Sequence, residues 1–144
     1  MSVLVVDASV AAKWLVEEEH TERALRLLSP QHDLHAPDFF LLEMDNIICK
    51  WLRRGLVDVP LANEMRTALR TMAIGLHPFV QSLNVAYHVA ADCGSSVYDA
   101  LYVALAVSLD AQVATADRRL YEAVAKGPLG GHVLWVEDLA QPPC

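Results

Sequence analysis

The chain has 144 residues, of which 54% are hydrophobic, and a formal net charge of −7 at pH 7. Its length fits one domain over residues 1–144, and its longest apolar runs fall far short of the ~20 residues that a bilayer requires, which excludes a membrane span. Three cysteines, Cys49, Cys93 and Cys144, without CxxC spacing argue against a disulfide framework or a zinc site and favour a cytoplasmic location.

Short apolar runs alternate with amphipathic segments in the first half of the chain. The predicted elements are, in order, a strand over 3–6, helices over 8–19 and 20–30, a strand over 33–37 and a long apolar helix over 37–54. Asp38 would cap the long helix or lie in its first turn, and Gly55 would end it. His32 and His35 lack metal-ligand spacing and are predicted to be ordinary surface residues.

The same alternation continues in the second half. The predicted elements are helices over 60–73, 82–94 and 96–110, a strand over 111–117, a helix over 118–127 and a strand over 132–136. Ser95 or Ser96 would cap the third of these helices. Because the strands are short, apolar and separated by helices, we predict an α/β fold, a three-layer α/β/α sandwich with a mainly parallel central sheet.

Four carboxylates stand out by their apolar surroundings. Asp7 and Asp117 each follow a predicted buried strand, and the crevice of a parallel sheet lies beyond the carboxyl ends of its strands. Glu43 and Asp99 each lie in an otherwise apolar helix, where a charge is costly unless it is paired or bound to a cation. Each of the four could instead be an exposed residue or a helix cap.

Taken together, the four carboxylates favour a metal site. Four negative charges in one crevice would raise one another's pKa values, and two divalent cations would cancel these charges and bind a phosphate as well. A set of oxygen ligands suits Mg²⁺ or Mn²⁺ better than a softer metal.

Four segments in this order, VVDAS, LLEMDN, YDALYVALA and ATADRRL, resemble the PIN-domain ribonucleases, in particular the VapC-type toxins of bacterial and archaeal toxin–antitoxin pairs. The resemblance spans residues 3 to about 136. It implies a PIN-like fold and an endoribonuclease that hydrolyses RNA phosphodiester bonds with Mg²⁺ or Mn²⁺. It also implies a homodimer that binds a cognate antitoxin.

The resemblance assigns roles to individual residues. The acidic quartet of the family falls on Asp7, Glu43, Asp99 and Asp117. Asp7 would anchor the metal with Asp99 and Asp117, while Glu43 would hold a second ion or orient the attacking water. The accompanying polar positions of the family match Ser9, Asn46 and Thr115.

The quartet has three polar neighbours in the sequence. Asn46 lies three residues after Glu43 and therefore on the same helical face. Ser9 could also cap the first helix. Asp45 departs from the family, whose members commonly have a small or apolar residue there, and a position two residues from Glu43 should point away from the site.

The net charge of −7 is an objection to an RNA substrate, because phosphate backbones bind basic surfaces. Arg118 and Arg119 open a helix, where the helix dipole disfavours cations, and we predict that they contact RNA together with Lys13.

The helix over 37–54 carries too many apolar residues for one buried stripe, so part of it would face a second protomer or an antitoxin helix.

Two other functions remain open at this point. A non-catalytic binding module could keep the fold without the chemistry. A phosphoacceptor receiver domain also has an N-terminal Asp pocket, but it requires an Asp after its third strand and a Lys after its fifth. The sequence offers only Asp58 around residues 50–60 and no Lys in HVLWVED.

Overall fold

The computed structural model describes residues 2–139, so Cys144 lies outside the described residues. Within this range, five strands and seven α-helices follow one another along the chain. The strands are β1 (Ser2–Val6), β2 (His32–Pro37), β3 (Ile74–His77), β4 (Gln112–Thr115) and β5 (Val133–Trp135). The helices are α1 (Ala8–Leu15), α2 (Thr21–Leu25), α3 (Phe40–Arg53), α4 (Val59–Thr71), α5 (Leu83–Cys93), α6 (Val97–Ser108) and α7 (Arg118–Ala125).

The strands form one sheet in the order β3-β2-β1-β4-β5, and all four neighbouring pairs are parallel. The chain moves outwards from β1 to β2 and β3, then crosses back past β1 to β4 and β5. Because such crossovers are right-handed, α1 to α4 cover one face and α5 to α7 cover the other. The change of direction between β1 and β4 opens a crevice at their carboxyl ends, where ligands bind in sheets of this kind.

Burial agrees with this three-layer arrangement and confirms the predicted fold class. The consecutive β1 residues Leu4, Val5 and Val6 are all buried, so both faces of the central strand are covered. Helix α6 packs against β1, β2 and β4, and residues 100–106 of this helix are buried without interruption. Among the described residues, no helix is long and apolar enough to cross a bilayer.

The helix starts follow the predicted capping chemistry. Ser96 caps α6, with its hydroxyl accepting the backbone N–H of Asp99 at 3.1 Å. Asp58 caps α4, which starts with Pro60 in its first turn. Gly55 and Gly94 follow α3 and α5 with left-handed φ angles of 71° and 73°, a conformation that suits glycine at a helix end.

Several predicted boundaries were wrong. Pro37 belongs to β2, and α3 begins only at Phe40, because residue 38 is held towards β3. Its N–H donates to the His77 carbonyl at 2.8 Å, and the Asp38 carboxylate accepts the Phe79 N–H at 3.2 Å instead of capping the helix. The predicted helix over 8–19 ends at Leu15, and the predicted helix over 20–30 is the short α2 followed by a 3₁₀ turn.

Strand β3 was not predicted, and it changes the interpretation of His35. The His35 side chain is only 18% exposed and is not an ordinary surface residue. Its Nδ1 lies 2.8 Å from His77 Nε2 on β3, and its Nε2 lies 3.0 Å from the Asp33 carboxylate. This contact attaches the edge strand to β2, opposite Gly75, where the absence of a side chain leaves room for the imidazole.

We expect Gly75→Ala to destabilise the protein by about 1–2 kcal/mol, which lowers the Tm by roughly 3–8 °C. The added Cβ would lie 2.7 Å from His35 Nδ1, so the ring must turn away and lose its bond to His77. The measurement is thermal unfolding at pH 7.5. Gly131→Ala is the control, because a Cβ there meets nothing within 4 Å. Equal Tm values for the two variants would contradict this account of the β2–β3 contact.

Candidate active site

Asp7 lies at the centre of the crevice, directly after β1, and is 5% exposed. Its Oδ1 accepts the Ser9 N–H at 3.2 Å and so caps α1, the role that Ser9 could have taken. Its Oδ2 accepts the Thr115 hydroxyl at 2.8 Å, across 108 residues of sequence. Both oxygens are therefore held in place by groups of the protein.

Thr115 connects the ends of β1 and β4. Its hydroxyl donates to Asp7 and accepts the Asp117 N–H at 3.0 Å, and the side chain is completely buried. Ser9 Oγ lies 3.5 Å from the same hydroxyl and accepts the Ala116 N–H at 3.1 Å. These contacts fix the position of Asp117 relative to Asp7, and Asp117 in turn caps α7 by accepting the Leu120 N–H at 3.1 Å.

Asp99 and Glu43 enter the crevice from opposite layers. Asp99 lies in the first turn of α6, where the Ser96 hydroxyl holds its backbone. Glu43 lies in the first turn of α3, and its side chain is partly buried with Oε1 enclosed and without a hydrogen-bond partner. The four carboxylates of the predicted quartet thus come from two strand ends and two helix starts around one crevice.

Burial and mutual repulsion raise the pKa values of three of these carboxylates. Burial raises the pKa of Asp7 from its ordinary value of 3.8 to about 6, and the charge of Asp99 adds to this, while the hydrogen bonds from Thr115 and Ser9 act in the opposite direction. Burial and the charges of Asp7 and Asp99 raise the pKa of Glu43 from 4.5 to about 7. The pKa of Asp99 is raised by burial and by the charge of Asp117.

This set of side chains fits a hard divalent cation. The donors are all carboxylate oxygens, their charges repel one another, and an enclosed oxygen of Glu43 has no partner. Within residues 2–139, no group of three His, Cys, Asp or Glu side chains is close enough to bind one ion together. Mg²⁺ needs only one or two protein carboxylates and keeps several waters, so this spacing is compatible with it.

Tyr102 is a site residue that the sequence prediction missed. It lies one turn after Asp99 on α6, is fully buried, and its hydroxyl has no geometrically sound hydrogen-bond partner. The phenol is near enough to Glu43 to lower the pKa of that carboxyl, against the larger effect of burial. Burial and the carboxylates raise the pKa of Tyr102, so the phenol stays protonated at neutral pH. A tyrosine three residues from Asp99 in an apolar helix was the available signal.

A cleft of about 390 Å³ extends from the acidic crevice. It is lined by Asp99 and Asp117 on one side and by Ser95, Ser96, Cys93 and Arg119 among the others. Its lining therefore combines carboxylates, hydroxyls and one guanidinium with apolar side chains, among them Leu120.

The remaining predicted residues differ in their relation to this cleft. Lys13 is paired with Glu18 at 3.1 Å, and the Arg118 guanidinium stacks on Trp135 at 4.1 Å from the ring centroid. Arg119 lies on the cleft wall. Asn46 is exposed on α3, one turn from Glu43.

Asp45 points away from the acidic crevice, as predicted for a position two residues from Glu43. It accepts hydrogen bonds from Arg66 at 2.9 and 3.0 Å and from Arg70 at 3.0 Å, both on α4. These guanidinium groups hold its pKa below the usual range. Asp45 is therefore part of the contact between α3 and α4.

Comparisons with known proteins find relatives over most of the chain. The family model of the PIN domain matches residues 4–126. Ribonuclease VapC3 of Pyrobaculum aerophilum is 39% identical over 121 residues, which cover 83% of this chain and 92% of that protein. The crystal structure of PAE2754 from Pyrobaculum aerophilum has a TM-score of 0.67 at 25% identity and covers 95% of this chain and 93% of its own. A toxin–antitoxin complex from Klebsiella pneumoniae has a TM-score of 0.60 at 14% identity, with coverages of 91% and 95%.

The raised pKa of Asp7 predicts that the metal-free protein becomes less stable as the pH rises. Below about pH 4 the carboxyl is protonated in both folded and unfolded chains, whereas between pH 4 and pH 6 the unfolded chain releases its proton first. The rise of the pKa from 3.8 to about 6 corresponds to a loss of about 3 kcal/mol above pH 7. Thermal unfolding in EDTA between pH 4 and pH 8 measures this loss.

In Asp7→Asn, we expect a flatter pH profile and a Tm at pH 8 that is roughly 5 °C higher than in the wild type, because one lost hydrogen bond offsets only part of the gain. Asp45→Asn is the control of opposite sign, because the pKa of Asp45 is lowered and its carboxylate stabilises the protein at pH 8. If the slope of Tm against pH is the same in Asp7→Asn as in the wild type, the raised pKa of Asp7 is not the cause of the pH dependence.

Proposed function

The chain belongs to the PIN domain family, and on this basis we propose that it is an endoribonuclease, the toxin of a toxin–antitoxin pair, which hydrolyses RNA phosphodiester bonds. The observation that carries this proposal is the meeting of four carboxylates, Asp7, Glu43, Asp99 and Asp117, in one crevice at the carboxyl ends of β1 and β4. The name of the relative that is 39% identical, a ribonuclease, supports the same activity.

We propose Mg²⁺ or Mn²⁺ as the cofactor, which would be held by Asp7, Asp99 and Asp117, in part through water molecules that the ion keeps, with Glu43 at the margin of the site. When bound, such an ion lowers the pKa of a coordinated water and stabilises the negative charge that develops on phosphorus. The protein supplies the alignment. Thr115 and Ser9 fix both oxygens of Asp7, and the cap of α7 fixes one oxygen of Asp117.

Glu43 is the residue that we propose to orient the attacking water. Its carboxyl has a pKa of about 7, so it can accept a proton near neutral pH. Asn46, one turn from Glu43, and Ser9, beside Thr115, would complete the hydrogen-bonding of the crevice. The described residues supply no Ser–His or Cys–His pair at the crevice, so the attacking group would be a water molecule and not a side chain.

Arg119 is the cation that we propose for binding the RNA backbone. It shares the cleft wall with Asp99 and Asp117, so a phosphate at the carboxylates places the adjoining nucleotide beside this guanidinium. Arg118 and Lys13 are weaker candidates, because one is stacked on Trp135 and the other is paired with Glu18. Two bound cations would also remove much of the negative charge that opposes an RNA ligand.

We propose a cognate antitoxin and a second copy of the chain as protein partners. Apolar residues remain exposed on the helices near the crevice, among them Leu42 at 72% and Tyr98 at 69%. The toxin–antitoxin complex from Klebsiella pneumoniae, which has the same fold, supports the antitoxin. We further propose that residues 1–144 form one domain and act in the cytoplasm, where the RNA substrate is found.

The strand order argues against a receiver domain but does not distinguish a non-catalytic module from a nuclease. In a receiver domain the third strand lies beside the first and ends in the phosphoacceptor Asp, whereas here β3 is the edge strand and ends at His77. A non-catalytic module of the same fold would keep the crevice and lose turnover. It is separated from the nuclease by a cleavage assay.

The first functional test is cleavage of a mixed RNA pool with Mg²⁺, with Mn²⁺ and with EDTA. We expect cleavage only with a metal, and we expect Asp7→Asn and Asp117→Asn to lower the rate by at least about 100-fold, because each removes a carboxylate that is proposed to hold the metal. Sequencing the new ends identifies the preferred site.

Asp45→Asn is the matched control for that assay, because Asp45 is bound to Arg66 and Arg70 outside the crevice. This variant should cleave at the wild-type rate. If the wild type binds Mn²⁺ but cleaves no RNA, the binding module is supported. Equal activity in Asp7→Asn and Asp45→Asn would refute the assignment of the site.

For Arg119→Gln, we expect KM for RNA to rise several-fold with little change in kcat, since the guanidinium binds the substrate away from the reacting atoms. The slope of log(kcat/KM) against log[salt] should become shallower by about 0.7 for one lost contact to single-stranded RNA. Arg53→Gln, on the exposed last turn of α3, is the control and should leave both quantities unchanged. An unaltered salt slope in Arg119→Gln would exclude this contact.

A further inference from the structure

Two buried oxygen atoms at the crevice have no hydrogen-bond partner, and they belong to side chains close enough to affect each other's pKa. One is Oη of Tyr102 and the other is Oε1 of Glu43. Leaving a buried polar atom unpaired destabilises a protein, and here each of two neighbouring side chains contains such an atom. The phenol lies near enough to Glu43 to lower the pKa of its carboxyl, although the pair does not meet ordinary hydrogen-bond geometry.

The phenol ring cannot turn its hydroxyl towards solvent. Tyr102 is 0% exposed, and its ring packs edge-to-face against Phe39 with 5.5 Å between the centroids. Phe39 is held in turn by Phe79 and Tyr98 at 5.8 and 6.1 Å. The aromatic cluster therefore sets the direction of the hydroxyl before Glu43 adopts any particular conformation.

In contrast to Tyr102, Glu43 has a flexible side chain. Its side chain has several rotatable bonds, is only partly buried, and lies at the start of α3 on the opposite face of the sheet from α6. Because Oε1 of Glu43 is enclosed near the fixed Tyr102 hydroxyl, that hydroxyl would also determine the direction of Oε2.

We propose that the Tyr102 hydroxyl donates a hydrogen bond to Glu43 Oε1 and thereby positions the Glu43 carboxylate in the acidic crevice. Tyr102 is then a positioning residue, which acts on the site through Glu43. This inference rests on the proposed function for its catalytic meaning, because it states how the carboxylate that orients water is itself held. Groups of this kind, one step behind the metal ligands, commonly change metal affinity by about 10–100-fold when they are removed.

The test compares Tyr102→Phe with Tyr98→Phe in the full-length, metal-free protein. Both tyrosines lie on α6, four residues apart, and both rings contact Phe39, but Tyr98 is 69% exposed. The first readout is the ¹H NMR signal of a slowly exchanging hydroxyl proton at pH 8. We expect this signal in the wild type and in Tyr98→Phe, its absence in Tyr102→Phe, and a displaced signal in Glu43→Gln.

The second readout is the Kd for Mn²⁺, measured by calorimetry. We expect about tenfold weaker binding in Tyr102→Phe and no change in Tyr98→Phe, while a cooperative thermal transition in EDTA shows that both variants are folded. In the double variant with Glu43→Gln, Tyr102→Phe should have no further effect on Kd, because its effect passes through Glu43.

The outcomes separate this inference from the proposed function. If the hydroxyl signal is absent from the wild type, or if Tyr102→Phe binds Mn²⁺ as the wild type does, the positioning role is overturned. An additive effect in the double variant overturns it as well, since Tyr102 would then act directly. If the wild type shows the signal and the Mn²⁺ effect but cleaves no RNA, the inference stands and the proposed function fails.

Discussion

The hydrogen bond between the Thr115 hydroxyl and Asp7 Oδ2 is the contact on which the site depends. It joins the carboxyl ends of β1 and β4, the two strands between which the sheet changes direction. The same hydroxyl accepts the Asp117 N–H, so one buried atom sets the distance between two carboxylates. Burial makes the contact strong, because no water competes for these groups. The crevice is therefore as rigid as the sheet itself.

That rigidity has an electrostatic cost. The fold holds carboxylates together in a poorly solvated place, and it raises the pKa values of Asp7, Glu43 and Asp99 as a result. The backbone caps and the threonine offset only part of this cost. A protein with such a site is less stable than its packing alone would allow, and the proposed cation would offset this loss. The proposed metal binding would therefore couple stability to function through these carboxylates.

The sequence predicted the parts of the molecule whose signals are local. The apolar run before Asp7, the serine cap of α6 and the strand before Asp117 all have short-range patterns, and each was found within a few residues. Strand β3 was missed because it is an exposed edge of four residues that includes Gly75, and its attachment depends on a partner 42 residues away. Tyr102 was missed for the same reason, because it relates to the site through Glu43, which lies in another layer of the sandwich.

The order of the strands also determines when the site can exist during synthesis. Asp7 leaves the ribosome long before the hydroxyl that holds it, which follows 108 residues later. A nascent chain can pair β1 with β2 and still lack one wall of the crevice until β4 and the start of α7 have emerged. The growing polypeptide therefore has no assembled acidic crevice before that stage, and a chain interrupted before residue 115 lacks the hydroxyl that holds Asp7.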